Sequence, residues 1–252
     1  MFINDTNYLD QHFLIDQKII DLFYKTIDEK ENDIILEIGP GKGVITNKLE
    51  NNCKKLIVVE KDKRLSSYLK DINALIIYED ILNYNIPRVN KIVTSLPYSI
   101  TDPFIYKLID VDFDKLIMIC GKKLYDSILK NNTKLSILVN LYFNIEHVID
   151  IKPESFNPAP KTMSSLITFS PKDINSLNKS EQIIRLLYKY RYMKVKNALK
   201  EILIRLDNIT QNNARQIVKS YNIDDTFLNK LFDELSNEEV VKIREVIHDS
   251  KI

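Results

Sequence analysis

The chain has 252 residues, 44% hydrophobic and 28% charged, with a formal net charge of +1. That composition fits an ordinary globular protein, either one large domain or a medium domain plus a small one. No apolar run approaches the roughly 20 residues of a membrane span, and "MFINDTNYLDQ" lacks the basic and apolar regions of a leader. A cytoplasmic protein with no membrane partner is therefore expected, and nothing asks for more than a monomer. Cys53 and Cys120, with His12, His147 and His248, form no metal-ligand spacing, so neither a metal site nor a disulfide framework is expected.

In chain order, "DIILEI" (33–38), "KLIVVE" (55–60), "ALIIY" (74–78), "KIVTS" (91–95) and "KLIMIC" (115–120) are near-continuous apolar runs. Strands buried on both faces of a parallel sheet read this way, and the intervening segments are long enough for crossover helices. Asp102 and Pro103 suit a cap and first helical residue after the fourth strand. "LVNLYFNIEHVIDI" (138–151) and "SSLITFS" (164–170) add further strands, giving a doubly wound α/β domain over residues 1–170. "SPKDINSLNKS" (170–180) reads as a linker. Beyond it, apolar residues recur at one-face helical spacing, which predicts a small all-helical domain over 180–252. Within it, Arg185, Lys189, Arg191, Lys194, Lys196, Lys200 and Arg205 make a basic stretch, read equally well as a solvated face or a phosphate-binding one.

"LEIGPGKGVIT" (36–46) follows the first strand and opens a helix, with three of the four glycines of the chain at 39, 41 and 43. Such a loop lets a ligand approach backbone N–H groups closely. The spacing excludes a phosphate-binding P-loop, and the third glycine comes one residue early for the dinucleotide fingerprint. An NAD oxidoreductase is disfavoured for that reason. Glu60 ends the second strand, where a carboxylate can accept both hydroxyls of a ribose. Asp80 ends the third and can accept from an adenine amino group, with Ile81 over the ring. Glu37, just before the loop, can pair with a cationic end. Each acid alone reads as a solvated strand end. Together they suit an adenosine without phosphates that carries a positive charge, which is S-adenosylmethionine.

"SLPY" (95–98) ends the fourth strand with a small hydroxyl, a kink and an aromatic ring, an arrangement suited to gripping a flat polar molecule. These segments, with "QHFLID" (11–16), "EIGPGKGVIT" (37–46), "VVEKD" (58–62), "ED" (79–80) and "FNPAPKTMSS" (156–165), resemble the KsgA/Dim family of rRNA adenine N6-dimethyltransferases in order and spacing. Erythromycin-resistance methyltransferases share much of the pattern.

The resemblance implies a Rossmann-like S-adenosylmethionine-dependent methyltransferase domain, followed by a helical domain that docks on RNA or the ribosome. It implies that Gln11, His12 and Leu14 cover the methionine end of the cofactor and that Gly39 and Gly41 line it. Glu60, with Lys61 beside it, would bind the ribose, and Asp80 with Ile81 the adenine. Ser95, also against the cofactor, and the Leu96 carbonyl, aimed by Pro97, would accept from the amino group of a target adenine. Tyr98 and Phe156 would stack on its two faces. Phe156 alone reads equally as a core residue. The implied partner is small-subunit rRNA in the pre-ribosomal particle. A large-subunit enzyme of the resistance type and a non-catalytic RNA-binding or transcription factor are the alternatives. The chain departs from the family at Ser95, where asparagine is usual, and at Gly121-Lys122-Lys123, where Gln-Lys-Glu is usual.

Overall fold

The structure, a computed structural model, describes residues 11–250. The stretch 1–10, read above as lacking a leader, and residues 251–252 lie outside the described residues. Two compact units emerge: residues up to 126 with 144–171, and 127–143 with 172 onward. The sequence reading had kept everything up to 170 together, whereas here 127–143 join the C-terminal helices.

The first unit holds a seven-stranded sheet ordered β4-β3-β2-β5-β6-β9-β7. Its strands are β2 (Ile34–Ile38), β3 (Lys55–Val59), β4 (Leu75–Ile77), β5 (Val89–Ser95), β6 (Phe113–Gly121), β7 (Phe143–Ile151) and β9 (Ser164–Pro171). Parallel pairing joins β4, β3, β2, β5 and β6 in turn, and β9 runs antiparallel to β6. The Ile/Val/Leu runs of β2, β3, β5 and β6 are buried on both faces, as a covered parallel sheet requires, whereas edge strand β4 leaves Leu75 exposed. Because β2 lies between β3 and β5, the chain leaves it in opposite directions on its two sides, and a crevice opens at the carboxyl ends of the strands.

Helix α1 (Gln17–Ile27) packs Ile20, Phe23 and Ile27 onto a core that includes Ile35, Val93, Ile117 and Phe156. Asp16 caps it, accepting from Lys18 N (3.0 Å) and from Ser155 Oγ (3.1 Å). That second bond ties the helix entry to the segment carrying Phe156.

Two sequence expectations change. Residues 138–142 were read as strand, but they complete α6 (Lys134–Tyr142), and β7 starts only at Phe143. Thr133 starts the helix with a capping box, its hydroxyl accepting from Ser136 N at 3.1 Å while Ser136 Oγ accepts from Thr133 N at 2.9 Å. A helix buried on nearly every side carries the same unbroken apolar run as a buried strand. Helix α4 (Tyr98–Leu108) begins four residues before Asp102, and Pro103 lies inside it. Pro97 supplies the start: its carbonyl accepts from Ile100 N (3.2 Å) and Thr101 Oγ1 (3.1 Å). Pro103 falls on the exposed side of the helix, where its missing N–H is tolerated.

The second unit contains α6, α7 (Lys179–Lys189), α8 (Val195–Asp207), α9 (Gln211–Ser220), the short α10 (Asp225–Leu228) and α11 (Asn237–Asp249). Tyr142 and Phe232 both meet Tyr188 edge-on, at 6.3 and 5.6 Å. The basic stretch from Arg185 to Arg205 is divided among α7, α8 and the turn between them, and part of it is structural. Arg185 donates to the Leu141 and Lys172 carbonyls and lies over the Tyr142 ring. Arg191 stacks on Tyr188 and Arg205 on Tyr190.

In the first unit Lys91 Nζ meets Asp33 Oδ2 at 2.7 Å, with both side chains nearly buried (11% and 12% exposed). Lys91 also donates to the Asp28 carbonyl, and Asp33 accepts from Lys30 N at 2.8 Å. Removing one partner strands the other charge away from water. Asp33→Ala is expected to lower unfolding free energy by about 3–5 kcal/mol, measured by urea denaturation. Lys91→Met/Asp33→Leu together should cost much less.

Candidate active site

The carboxyl ends of β2, β3 and β5 finish at one level. Glu37 is in register with Val58 and Val93, Ile38 with Val59 and Thr94, and Ser95 with Ile119. Gly39 N then donates to the Val59 carbonyl at 3.0 Å, and Glu60 N to the Ile77 carbonyl at 2.9 Å. The residues following each strand therefore emerge side by side around a cavity of about 380 Å³. It is lined by Gln11, His12, Gly39, Gly41, Glu60, Lys61, Asp80, Ile81, Ser95, Leu96, Pro97, Tyr98 and Phe156. These are all but two of the site residues named from sequence.

The exceptions are Leu14 and Glu37, which line a smaller cavity of about 60 Å³ with His12, Gly39, Gly41 and Ser95. Six of its residues, Phe13 and Ile38 among them, border the larger cavity too. Phe13, whose turn with His12 the resemblance placed over the methionine end of the cofactor, also lines the larger cavity, as do Ile38, Val59, Glu79 and Ile119, to which the sequence reading gave no role there. Ile38, Val59 and Ile119 were findable, because they are the last apolar residues of strands whose ends were already recognised.

The N-terminal motif reaches the crevice through a two-stranded clip. β1 (Phe13–Leu14) pairs antiparallel with β8 (Phe156–Asn157), Phe13 opposite Asn157 and Leu14 opposite Phe156. The ring nitrogen Nδ1 of His12 lies 2.7 Å from the Pro158 carbonyl oxygen. Gly41 has φ +59°, and a Cβ there would come within 3.1 Å of the Phe13 ring, so conformation and space both require glycine. Two segments about 145 residues apart are thus locked over the glycine loop. Phe156 is only 4% exposed and belongs to the apolar core, as one reading of it from sequence had it, while also bordering the cavity.

Tyr98 is held on two sides. Its hydroxyl lies 2.5 Å from Ser164 Oγ, and its ring rests on Gly121, whose added Cβ would meet the ring at 3.5 Å. Gly121 and Ser164 are register partners in β6 and β9. The sequence departure at 121 therefore lies directly behind the aromatic ring of the site.

The electrostatics are acidic. Burial pushes the Glu37 carboxyl up to about 8, with repulsion from Glu60 adding to it. The Thr46 hydroxyl opposes the shift only in part, since Glu37 Oε2 and Thr46 Oγ1 are buried and lack a full hydrogen bond. Glu60 is also raised by burial, although its Oε1 accepts from Asp62 N at 2.7 Å. Asp80 is lowered, chiefly by the ammonium of Lys61 at 2.8 Å, and its other oxygen accepts from Leu82 N at 2.9 Å. Gln11 donates to Asp62, which Arg64 grips through two 2.9 Å bonds. Glycine backbone flanked by buried carboxylates would repel a pyrophosphate and attract a cation. A buried acid without a partner, Glu37 Oε2, is what a cationic ligand would satisfy, so the residues present fit S-adenosylmethionine. Among the described residues no group of His, Cys, Asp and Glu is arranged to hold a metal ion, and no helix is long and apolar enough to cross a membrane.

Residues 4–241 match the family described as ribosomal RNA adenine dimethylase. A probable ribosomal RNA small subunit methyltransferase A from Pyrococcus abyssi is 28% identical over 99% of this chain and 94% of its own. The ribosomal RNA small subunit methyltransferase A of Prochlorococcus marinus (strain MIT 9301) is 34% identical over 80% of this chain and 85% of its own. Among solved structures, a dimethyladenosine transferase from Plasmodium falciparum superposes with a TM-score of 0.65 at 23% identity, covering 92% of this chain and 96% of that one. The 23S rRNA methyltransferase ErmE gives 0.61 at 18% identity, covering 94% and 99%. These two likenesses establish a Rossmann-like methyltransferase fold. The chain belongs to the ribosomal RNA adenine dimethylase family of S-adenosylmethionine-dependent methyltransferases.

Proposed function

We propose that this enzyme dimethylates N6 of adenines in small-subunit rRNA, working in the cytoplasm on the pre-ribosomal particle. The observation that carries this reading is one cavity bordered by Glu60, Asp80, Ser95, Tyr98 and Phe156 together, in a chain whose curated relatives are named for the small subunit. The likeness to ErmE is one of fold alone, so the large-subunit alternative has no comparable support. Buried carboxylates poised for a cation argue against a non-catalytic factor.

When bound, S-adenosylmethionine supplies a methyl group made electrophilic by its sulfonium. Glu60 would hold the ribose, and Asp80 the adenine, since each of its oxygens keeps a second lone pair beyond the Lys61 and Leu82 bonds. Gly39 and Gly41 bring backbone against it, while Leu14 and Glu37 border its charged end. Gln11 and His12 close the crevice from the N-terminal clip.

An adenine amino group is a poor nucleophile because its lone pair is delocalised into the ring. Ser95 Oγ and the Leu96 carbonyl accept from its two hydrogens, favouring a tetrahedral nitrogen with an available lone pair. Tyr98 and Phe156 fix the flipped base by stacking. No strong base is required beforehand, because the amino nitrogen becomes acidic only as the new N–C bond would form and the methyl–sulfur bond break, after which its proton can pass to solvent. Serine in place of the family's asparagine shortens the reach but keeps an acceptor oxygen. Ser164 acts as a positioning residue by holding the Tyr98 hydroxyl.

The overall reading is tested by incubating the protein and labelled cofactor with under-methylated small and large subunits. Label in dimethyladenosine from the small subunit is expected, and transfer to the large subunit alone would reject the assignment. Ser95→Ala should lower kcat about 10–100-fold, the loss of about 1–3 kcal/mol that goes with one hydrogen bond. Cofactor affinity should hold by calorimetry, and Ser95→Asn should retain or raise kcat. For Glu37, the folded pKa lies near 8 against an ordinary 4.5. A raised carboxyl contributes stability that is complete below 4.5 and is lost as pH rises through 8. Melting of the cofactor-free protein should accordingly fall across that window. Glu37→Gln should flatten the dependence and weaken cofactor binding at least roughly tenfold, as loss of a charge-assisted contact implies.

A further inference from the structure

Behind the ring of Tyr98 lies a group of polar side chains that borders neither cavity of the site. Helix α5 (Lys122–Lys130) starts directly after Gly121, the last residue of β6. Lys122 Nζ meets Asp150 Oδ2 of β7 at 2.9 Å. The other oxygen of Asp150 accepts from Ser165 Oγ of β9 at 2.7 Å and from His147 Nε2 at 2.9 Å. We infer that Asp150 is a positioning residue for the target base: its carboxylate clasps the ends of β6 and β9 and thereby fixes the Tyr98 ring. The inference rests on the functional reading above, since it takes Tyr98 as a stacking platform.

Two short paths run from this carboxylate to the ring. Ser165 is one residue from Ser164, whose Oγ lies 2.5 Å from the Tyr98 hydroxyl. Lys122 is one residue from Gly121, on whose backbone the ring rests. Gly121 and Ser164 form the final register pair between β6 and β9. Just beyond it, Lys122 N donates to the Met163 carbonyl at 2.9 Å. A glycine at the end of a strand has no side chain to pack and is the loosest of backbone units. The seat of the ring therefore takes its rigidity from the next residue, and Lys122 is tied down through Asp150.

The clasp is built to stay ionised. Lys122 above all, with His147 and Ser165 assisting, holds the Asp150 carboxyl down at about 2. The Ser165 hydroxyl, fully buried, thus keeps a charged acceptor. Tyr125 of α5 stacks on the His147 ring at 4.8 Å, which restrains the imidazole. Asp126 also meets Lys122, at 3.3 Å, but within the same helix, so that pair ties no strand to another. With both partners 32% exposed, the Lys122–Asp150 pair adds little to stability. What it contributes is geometry.

The test places 3-fluorotyrosine at position 98 of the full chain and reads its fluorine resonance, which follows the surroundings of the ring whether or not methyl transfer occurs. Asp150→Ala and Ser165→Ala should move that resonance toward the position it takes in Ser164→Ala. Asp21→Ala, which removes an exposed aspartate bound to Gln17 and Lys48, should leave it in place. With natural tyrosine and under-methylated small subunits, Asp150→Ala should lower kcat about tenfold at unchanged cofactor affinity. Lys122→Arg should keep most of the activity that Lys122→Met loses. In a Ser164→Ala background the further loss from Asp150→Ala should shrink to about twofold or less, because both changes act through one ring. Ser165→Ala deletes a single hydroxyl and carries the same test if Asp150→Ala does not fold. A resonance unmoved by the clasp variants, an intact kcat, or losses that multiply independently overturns the assignment. If the clasp variants move the resonance but the wild type transfers no methyl group to rRNA, the functional reading fails while the clasp on Tyr98 stands.

Discussion

Glu37 and Glu60 emerge on adjacent parallel strands, one just before and one just after the level at which the glycine loop begins. Both are buried and both are driven toward the protonated form by loss of water, and Glu60 raises Glu37 further. A sheet covered on both faces offers no solvent to relieve them. The fold therefore carries an electrostatic deficit that, on the proposed reading, a bound cation would remove. The glycine loop and the β1–β8 clip border the cavity next to these carboxylates. Stability is given up locally for a function-bearing site, as is common where ligands bind.

Much of this could be read from the sequence because parallel strands with continuous Ile, Val and Leu have one arrangement available. Once "DIILEI", "KLIVVE" and "KIVTS" are taken as neighbours, the residues at their carboxyl ends must converge. Glu60, Asp80 and Ser95 were found on that basis. Periodicity failed at 138–142, where a helix buried all round looks like a strand, and at Asp102-Pro103, where an attractive cap signal was overridden by Pro97. Other features could not be read at all. The seating of Tyr98 on Gly121 and its bond to Ser164 depend on the register between β6 and β9, which no local pattern encodes. The ion pair between Lys61 and Asp80, 19 residues apart, likewise requires knowing that β3 and β4 are neighbours.

The helical unit teaches a related lesson about charge. A basic stretch in sequence is not a basic surface. Its arginines are largely spent on aromatic faces and carbonyls that organise α6, α7 and α8, whereas four cations from separate helices come together around one cleft. Near-neutral net charge and a local cluster of cations are therefore compatible, since segregation is achieved by folding.

The claim on which the account depends is that a positively charged adenosine-bearing donor relieves the buried Glu37 carboxyl. Titration calorimetry of S-adenosylmethionine binding at pH 6.5, repeated in buffers of different ionisation enthalpy, measures this directly. At that pH the ligand's own amino group, with an ordinary pKa of about 7.7–8.0, is already protonated. The wild type should release close to one proton more than Glu37→Gln on binding. Equal proton release by the two proteins, with undiminished affinity in the variant, would contradict the account.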